Sequence, residues 1–276
     1  MALGMTALGD TEHSNYACAE VVLSRDAAFE EGDVIACQAG WQDYQIISSA
    51  DAAIGYPPAS EPTKALNRTN SQWTYVFRPA MVRMWPSEVL MEMFGTSGMT
   101  AYFGMRQCGP IMPSDAVLVA GATGSVGSIA ARLTRVAGAY IVGLAGGEDR
   151  CTWAWQILGL DDCIDYRASD LPDRLRHALP DGIDVYSDGV GGPLTKTVVS
   201  MMNRNGQLFA YGSAAAFYAD RIHAPKERPT LRRMFGISDE VEALLKERHI
   251  KSESWMGKSQ GRVGQGSSKG SVAERM

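Results

Sequence analysis

The chain contains no Cys-x-x-Cys pair, no His-x-x-x-His pair and no Cys/His cluster at zinc-ligand spacing. No metal site is therefore expected. Its five cysteines (Cys18, Cys37, Cys108, Cys151, Cys163) are odd in number and scattered, which fits free, mainly buried thiols rather than a disulfide framework. No apolar stretch approaches the roughly 20 residues of a membrane span. The N-terminus, Met1-Ala-Leu-Gly-Met5, lacks the basic and long apolar regions of a signal peptide. These absences lead us to expect a cytoplasmic protein. Basic runs interleaved with aromatics are missing too, and 26 basic against 31 acidic residues leave a net charge of −5, which argues against a nucleic-acid partner. No internal repeat is visible. What remains is a globular composition, 45% hydrophobic and 21% charged over 276 residues, with room for one large or two ordinary domains.

The most informative stretch runs from Ala116 to Gly127, Ala-Val-Leu-Val-Ala-Gly-Ala-Thr-Gly-Ser-Val-Gly. A short apolar run ends in a glycine-rich turn, and a small-residue helix follows. This is the strand, turn and helix entry of a dinucleotide-binding βαβ unit. The motif is Ala122-x-Gly124-x-x-Gly127, with Ala where the common fingerprint has its first Gly. Gly124 permits close approach to a pyrophosphate, Gly127 permits close helix–strand packing, and Ala122 makes the turn if its φ stays negative. The helix start offers free N–H groups and the positive end of a dipole.

A second apolar run, Ala139 to Ala145, arrives at the distance expected of the next strand. A site for NAD usually ends this strand in Asp or Glu, which binds the ribose hydroxyls. Here the strand ends Leu144-Ala145-Gly146-Gly147, with Glu148 and Asp149 late and Arg150 directly after them. A neutral strand end beside a guanidinium suits a 2′-phosphate.

Along the chain, β character is expected at Ala19–Leu23, Asp33–Ala36 and Asp43–Ile47, as part of a small sheet or barrel, and an irregular connection over 51–85. From Pro86 the pattern turns helical, with a break around Gly95–Gly98. Helices are expected at Val126–Val136, Arg150–Leu158, Leu171–Leu179, Leu194–Met202 and Asp239–Arg248, the last with Ser238 as N-cap. Strands are expected at Ile141–Ala145, Cys163–Tyr166, Ile183–Tyr186 and Gln207–Tyr211. Such alternation predicts an α/β fold with a doubly wound parallel sheet. Residues 257–276, rich in Gly, Ser, Lys and Gln, are expected to be a disordered tail. The expected organisation is a partial barrel domain over 1–85, a Rossmann domain over 86–256, and the tail.

Seven pieces occur in an order that resembles the zinc-independent medium-chain dehydrogenase/reductases, in the branch of NADP-dependent alkenal/one reductases. They are Gly40-Trp-Gln-Asp-Tyr44, Gly98 to Gly104, Ala120 to Gly127, Gly143 to Gly147, Ile164-Asp-Tyr-Arg167, Asp181 to Tyr186, and Val190-Gly-Gly192. The resemblance implies a GroES-like β-barrel beside a Rossmann domain that holds NADPH. It also implies metal-independent hydride transfer to the C=C bond of an α,β-unsaturated ketone or aldehyde, and in many relatives a homodimer. It carries cofactor-binding roles onto Thr100, Ala122, Thr123, Gly124, Ser125, Val126, Gly127, Gly146, Arg150, Tyr166, Gly189, Gly212 and Ser213. Tyr218 falls at the substrate cleft as the catalytic candidate. Gly189 stands where the family has an Asn, which removes a side-chain donor and acceptor near the cofactor. The chain is also shorter than the family's pattern at both ends, so a truncated form is expected. A quinone reductase of the same superfamily and a non-catalytic NADP-binding protein are the competing expectations.

Overall fold

In the computed structural model, the structure describes residues 15–39, 43, 44, 46, 75–215 and 235–254. These fall into two compact units, divided after Thr96.

The first unit is a three-stranded antiparallel sheet in the order β1-β2-β3, with β1 at Asn15–Glu20, β2 at Val34–Ala39 and β3 at Tyr75–Val76. Two helices follow, α1 (Pro79–Met84) and α2 (Ser87–Phe94). Ala36, Phe77 and Leu90 form a buried cluster, and Met81, Val82, Met91 and Phe94 pack around it. The expected second strand is present. The first begins earlier than expected, and the backbone from Val21 to Leu23 has left the sheet. Asp43, Tyr44 and Ile46 are not in a strand. The third strand lies instead at Tyr75, inside the stretch expected to be irregular. The two valine and tyrosine residues there are too few to carry a period, and pairing with Ile35 and Ala36 is what makes them a strand. Helix α2 stands with this unit, whereas the sequence boundary after 85 joined it to the second.

The second unit begins with α3 (Thr96–Cys108), so the helical break expected over Gly95–Gly98 shrinks to Gly95 alone. Six strands follow: β4 (Ala116–Ala120), β5 (Tyr140–Ala145), β6 (Asp162–Asp165), β7 (Ile183–Asp188), β8 (Met202–Ala210) and β9 (Lys251–Ser254). All pair in parallel, in the order β6-β5-β4-β7-β8-β9. Between them run α4 (Ser125–Ala137), α5 (Glu148–Trp153), α6 (Leu171–Ala178), α7 (Pro193–Val199) and α8 (Asp239–Glu247). The chain order reverses between β4 and β7, which makes the carboxyl ends of those strands the topological switch point of a Rossmann-type sheet.

Both faces are covered at the centre of this sheet, so β4 and β5 are almost continuously apolar. Alternate residues of β4 feed two cores. Leu118 and Ala120 join Leu144, Tyr186 and Leu208 against α6, α7 and α8. Val117 and Val119 join Ile141, Val185 and Phe209 against α3 and α4. Helix α5 starts two residues earlier than expected and passes into a π-helical turn at Ala154–Leu158. Ser238 caps α8 by accepting from the Val241 N–H at 3.3 Å, as expected. All five cysteines are free.

Candidate functional site

The glycine turn begins where β4 ends. Gly121, at φ +72°, takes the left-handed conformation, one position before the fingerprint's first site. Ala122 therefore has no positive φ to adopt, and its side chain is fully buried in the sheet core. The N–H groups of Gly121 and Ala122 both donate to the Leu144 carbonyl, at 2.9 and 3.1 Å, which ties the turn to β5. A Cβ on Gly127 would lie 2.2 Å from the Gly121 carbonyl oxygen. No side chain fits there, and the close packing expected of Gly127 is present. Gly124 is the N-cap of α4 and brings no capping side chain. The first N–H groups of that helix therefore remain for a ligand's oxygens.

A cleft of about 680 Å³ opens over this turn. Its floor is Gly121 and Thr123 to Gly127. One wall is Ala145, Gly146, Asp149, Arg150, Trp153 and Tyr166, and the other is Gly189, Val190, Tyr211 and Ala214. Of the residues anticipated from sequence, Thr123, Gly124, Ser125, Val126, Gly127, Gly146, Arg150, Tyr166 and Gly189 line this cleft. Four others do not. Thr100 is only 4% exposed, inside α3. Ala122 is core. Gly212 is packed so that a Cβ would sit 2.1 Å from the Gly189 carbonyl oxygen, which makes it a spacer between strand ends. Ser213, between the lining residues Tyr211 and Ala214, is not itself part of the lining. Tyr218 lies outside the described residues, as does most of Gly40–Tyr44.

The end of β5 carries no carboxylate. A Cβ on Gly146 would lie 2.9 Å from the Tyr166 hydroxyl and 3.0 Å from the Arg167 guanidinium, so both side chains overhang this glycine. Arg167 stands 5.8 Å from the centre of the Tyr166 ring, within cation–π range. A smaller recess of about 470 Å³ is walled by Gly146, Gly147, Glu148, Asp149, Arg150 and Arg167. Neither Arg150 nor Arg167 forms an ion pair among the described residues. The Asp165 carboxyl is held below its usual range, first by the Arg167 backbone N–H that donates to it at 3.0 Å, and this fixes the turn that aims Arg167. Arg167, Trp153 and Tyr211 are lining or wall residues to which sequence reasoning assigned no role. Arg167 stood inside a quoted motif, so its charge next to Tyr166 was the available signal.

Beneath the other wall lies a buried polar cluster. Asp188, at the end of β7, is fully buried. Its carboxylate accepts from Val190 N–H (3.0 Å), Gly191 N–H (2.8 Å) and the Thr195 hydroxyl (2.5 Å). Burial raises its pKa, while these hydrogen bonds oppose the rise. The cluster binds the Val190–Gly192 turn to the start of α7 and so sets the height of that wall.

The sequence matches the zinc-binding dehydrogenase family over residues 125–259. It is 29% identical over 209 residues to the NADPH-dependent curcumin reductase of Escherichia coli, covering 75% of this chain and 53% of that protein. It is 28% identical over 206 residues to the NADP-dependent 2-alkenal reductase of Nicotiana tabacum, covering 74% and 53%. Among solved structures it is similar to CurA from Vibrio vulnificus in complex with NADPH, with a TM-score of 0.64 and 25% identity over 87% of this chain and 61% of that one. The chain spans about half the length of these curated relatives.

Proposed function

The chain is a medium-chain dehydrogenase/reductase-like protein, similar to the NADPH-dependent curcumin and alkenal reductases, and from that premise we propose that its Rossmann unit binds NADPH across the cleft. The observation that carries the reading is the end of β5. Gly146 carries no side chain there, which lets the Tyr166 hydroxyl and the Arg167 guanidinium close over the strand end, with Arg150 on the same wall. Two guanidiniums without ion-pair partners among the described residues, together with a phenol, suit a 2′-phosphate dianion, which takes charge-assisted hydrogen bonds. Glu148 and Asp149 border the same recess, but neither ends the strand, where a ribose-binding carboxylate belongs. The space above Gly124 and Gly127 and the uncapped start of α4 fit a pyrophosphate.

The reaction we propose is reduction of the C=C bond of an α,β-unsaturated ketone or aldehyde. When bound, NADPH supplies the hydride, which adds to the β-carbon, and a proton from solvent completes the product at the α-carbon. The residues of this chain hold the dinucleotide, anchor its phosphates and keep the cleft walls at fixed separation. Tyr218 is the proposed hydrogen-bond donor to the enolate oxygen. The proposed reaction is metal-independent, as the resemblance to the zinc-independent reductases implies. The second reading is a non-catalytic NADP-binding protein.

Fluorescence titration with NADPH, followed by addition of a long-chain alkenone and loss of nicotinamide absorbance, separates these. Binding with turnover is the expected outcome. Turnover of quinones but of no enone would replace the substrate class, binding without any turnover would select the second reading, and absence of binding would overturn both.

A further inference from the structure

The Gly189 side of the cleft lost a polar group by the sequence reading, and the geometry returns one from another strand. A Cβ on residue 189 would meet the Tyr211 hydroxyl at 2.7 Å, Tyr211 Cε2 at 2.9 Å and the Ala120 carbonyl oxygen at 2.9 Å. The last of these is backbone and cannot yield, so residue 189 cannot supply a side chain here. Tyr211 follows β8, and its N–H donates to the Asp188 carbonyl at 3.0 Å. Its ring lies 5.0 Å from that of Phe209, and Phe209 is pinned against Gly104 of α3, where a Cβ would lie 1.9 Å from the ring. The phenol is therefore held from behind, with its hydroxyl over Gly189 at the switch point, in the cleft wall.

That hydroxyl donates its one proton to the Ala120 carbonyl, at 3.3 Å. The same carbonyl accepts the Gly189 N–H at 3.2 Å. Burial pushes the phenol's pKa far up, with Ser187 opposing and Asp188 adding to the rise, so it stays neutral. With its proton spent, what the hydroxyl offers the cleft is a lone pair. A phosphate has no proton to give to it, but a ribose hydroxyl has. The 2′-phosphate reading, on which this rests, places the adenosine half of the dinucleotide at the β5 wall. The β7–β8 wall then faces the other half.

We infer that Tyr211 is a cofactor-binding residue whose hydroxyl accepts a hydrogen bond from the nicotinamide ribose, in the place a side chain on residue 189 cannot occupy.

Tyr211→Phe keeps the ring and its stacking and removes only the hydroxyl. The expected result is a loss of affinity of about fivefold to tenfold, equal for NADPH and NADH. Affinity for adenosine 2′,5′-bisphosphate, which ends before the second ribose, should be unchanged. Unchanged affinity for all three ligands overturns the inference. An equal loss for all three also overturns it, because a structural role for the hydroxyl would then account for the effect. If the unaltered protein binds none of the three, the dinucleotide reading itself falls, an outcome distinct from either.

Discussion

The two walls of the cleft are built on opposite principles. The β5–β6 wall presents exposed charges, Asp149, Arg150 and Arg167, around a glycine that Tyr166 and Arg167 overhang. The β7–β8 wall hides its charge: Asp188 is fully buried and, with the buried Thr195, satisfied by short hydrogen bonds. Charges in water are cheap to place and weak in holding structure, because solvent and salt screen them. Buried polar groups cost desolvation and must be paired, but they fix geometry once paired. One wall is thus suited to choosing a ligand by charge, and the other to holding a shape.

The comparison breaks most visibly at Asp188. Replacing it by Ala leaves two buried N–H groups and a hydroxyl without their acceptor, and should cost about 3 kcal/mol of stability, read by chemical denaturation. A cost below about 0.5 kcal/mol would mean that the buried cluster holds nothing. On the other wall, Arg150→Glu should leave the denaturation midpoint unchanged and weaken NADPH about 10- to 100-fold more than NADH. Equal affinities for the two cofactors in the variant and its parent would remove the 2′-phosphate from that wall.

The smallest expected effect concerns pH. Because burial raises the Asp188 carboxyl in the folded state, the folded chain holds that proton more tightly than the unfolded one. Its contribution to stability is complete below about pH 4, the ordinary carboxylate value, and is lost as pH rises through the folded value. Asp188→Asn can still accept both N–H groups at its amide oxygen. Its amide nitrogen can donate to Thr195, whose hydroxyl then turns to the Phe235 carbonyl at 3.4 Å. Unfolding free energies of this variant between pH 4 and 8 should lack the downward slope that Asp188 adds. Identical slopes in variant and parent would assign that pH dependence to other groups.

Much of the Rossmann unit was legible because its signals are local. A run such as Ala116–Ala120 between turn residues is a strand in a doubly covered sheet wherever it occurs, and Gly127 announced a close approach that the Gly121 carbonyl makes. Elements whose identity depends on a partner were not legible. Tyr75 and Val76 become a strand only against β2. The left-handed residue of the turn proved to be Gly121 rather than the fingerprint's first position, because the Leu144 carbonyl gathers two N–H groups there. Thr100 matched a motif, yet its helix faces it inward.

By itself, the sequence determined the strand–turn–helix entry, the alternation that makes the sheet parallel, and the neutral end of β5, since each is a matter of neighbours along the chain. Only the tertiary structure decided what hangs over that strand end and what fills the space at Gly189. Arg167 and Tyr211 lie 21 and 22 residues beyond the glycines they cover, and the parallel register of β5 with β6 and of β7 with β8 brings them there. Strand pairing converts distance along the chain into contact at the carboxyl ends of the strands, and the cleft is assembled from those contacts.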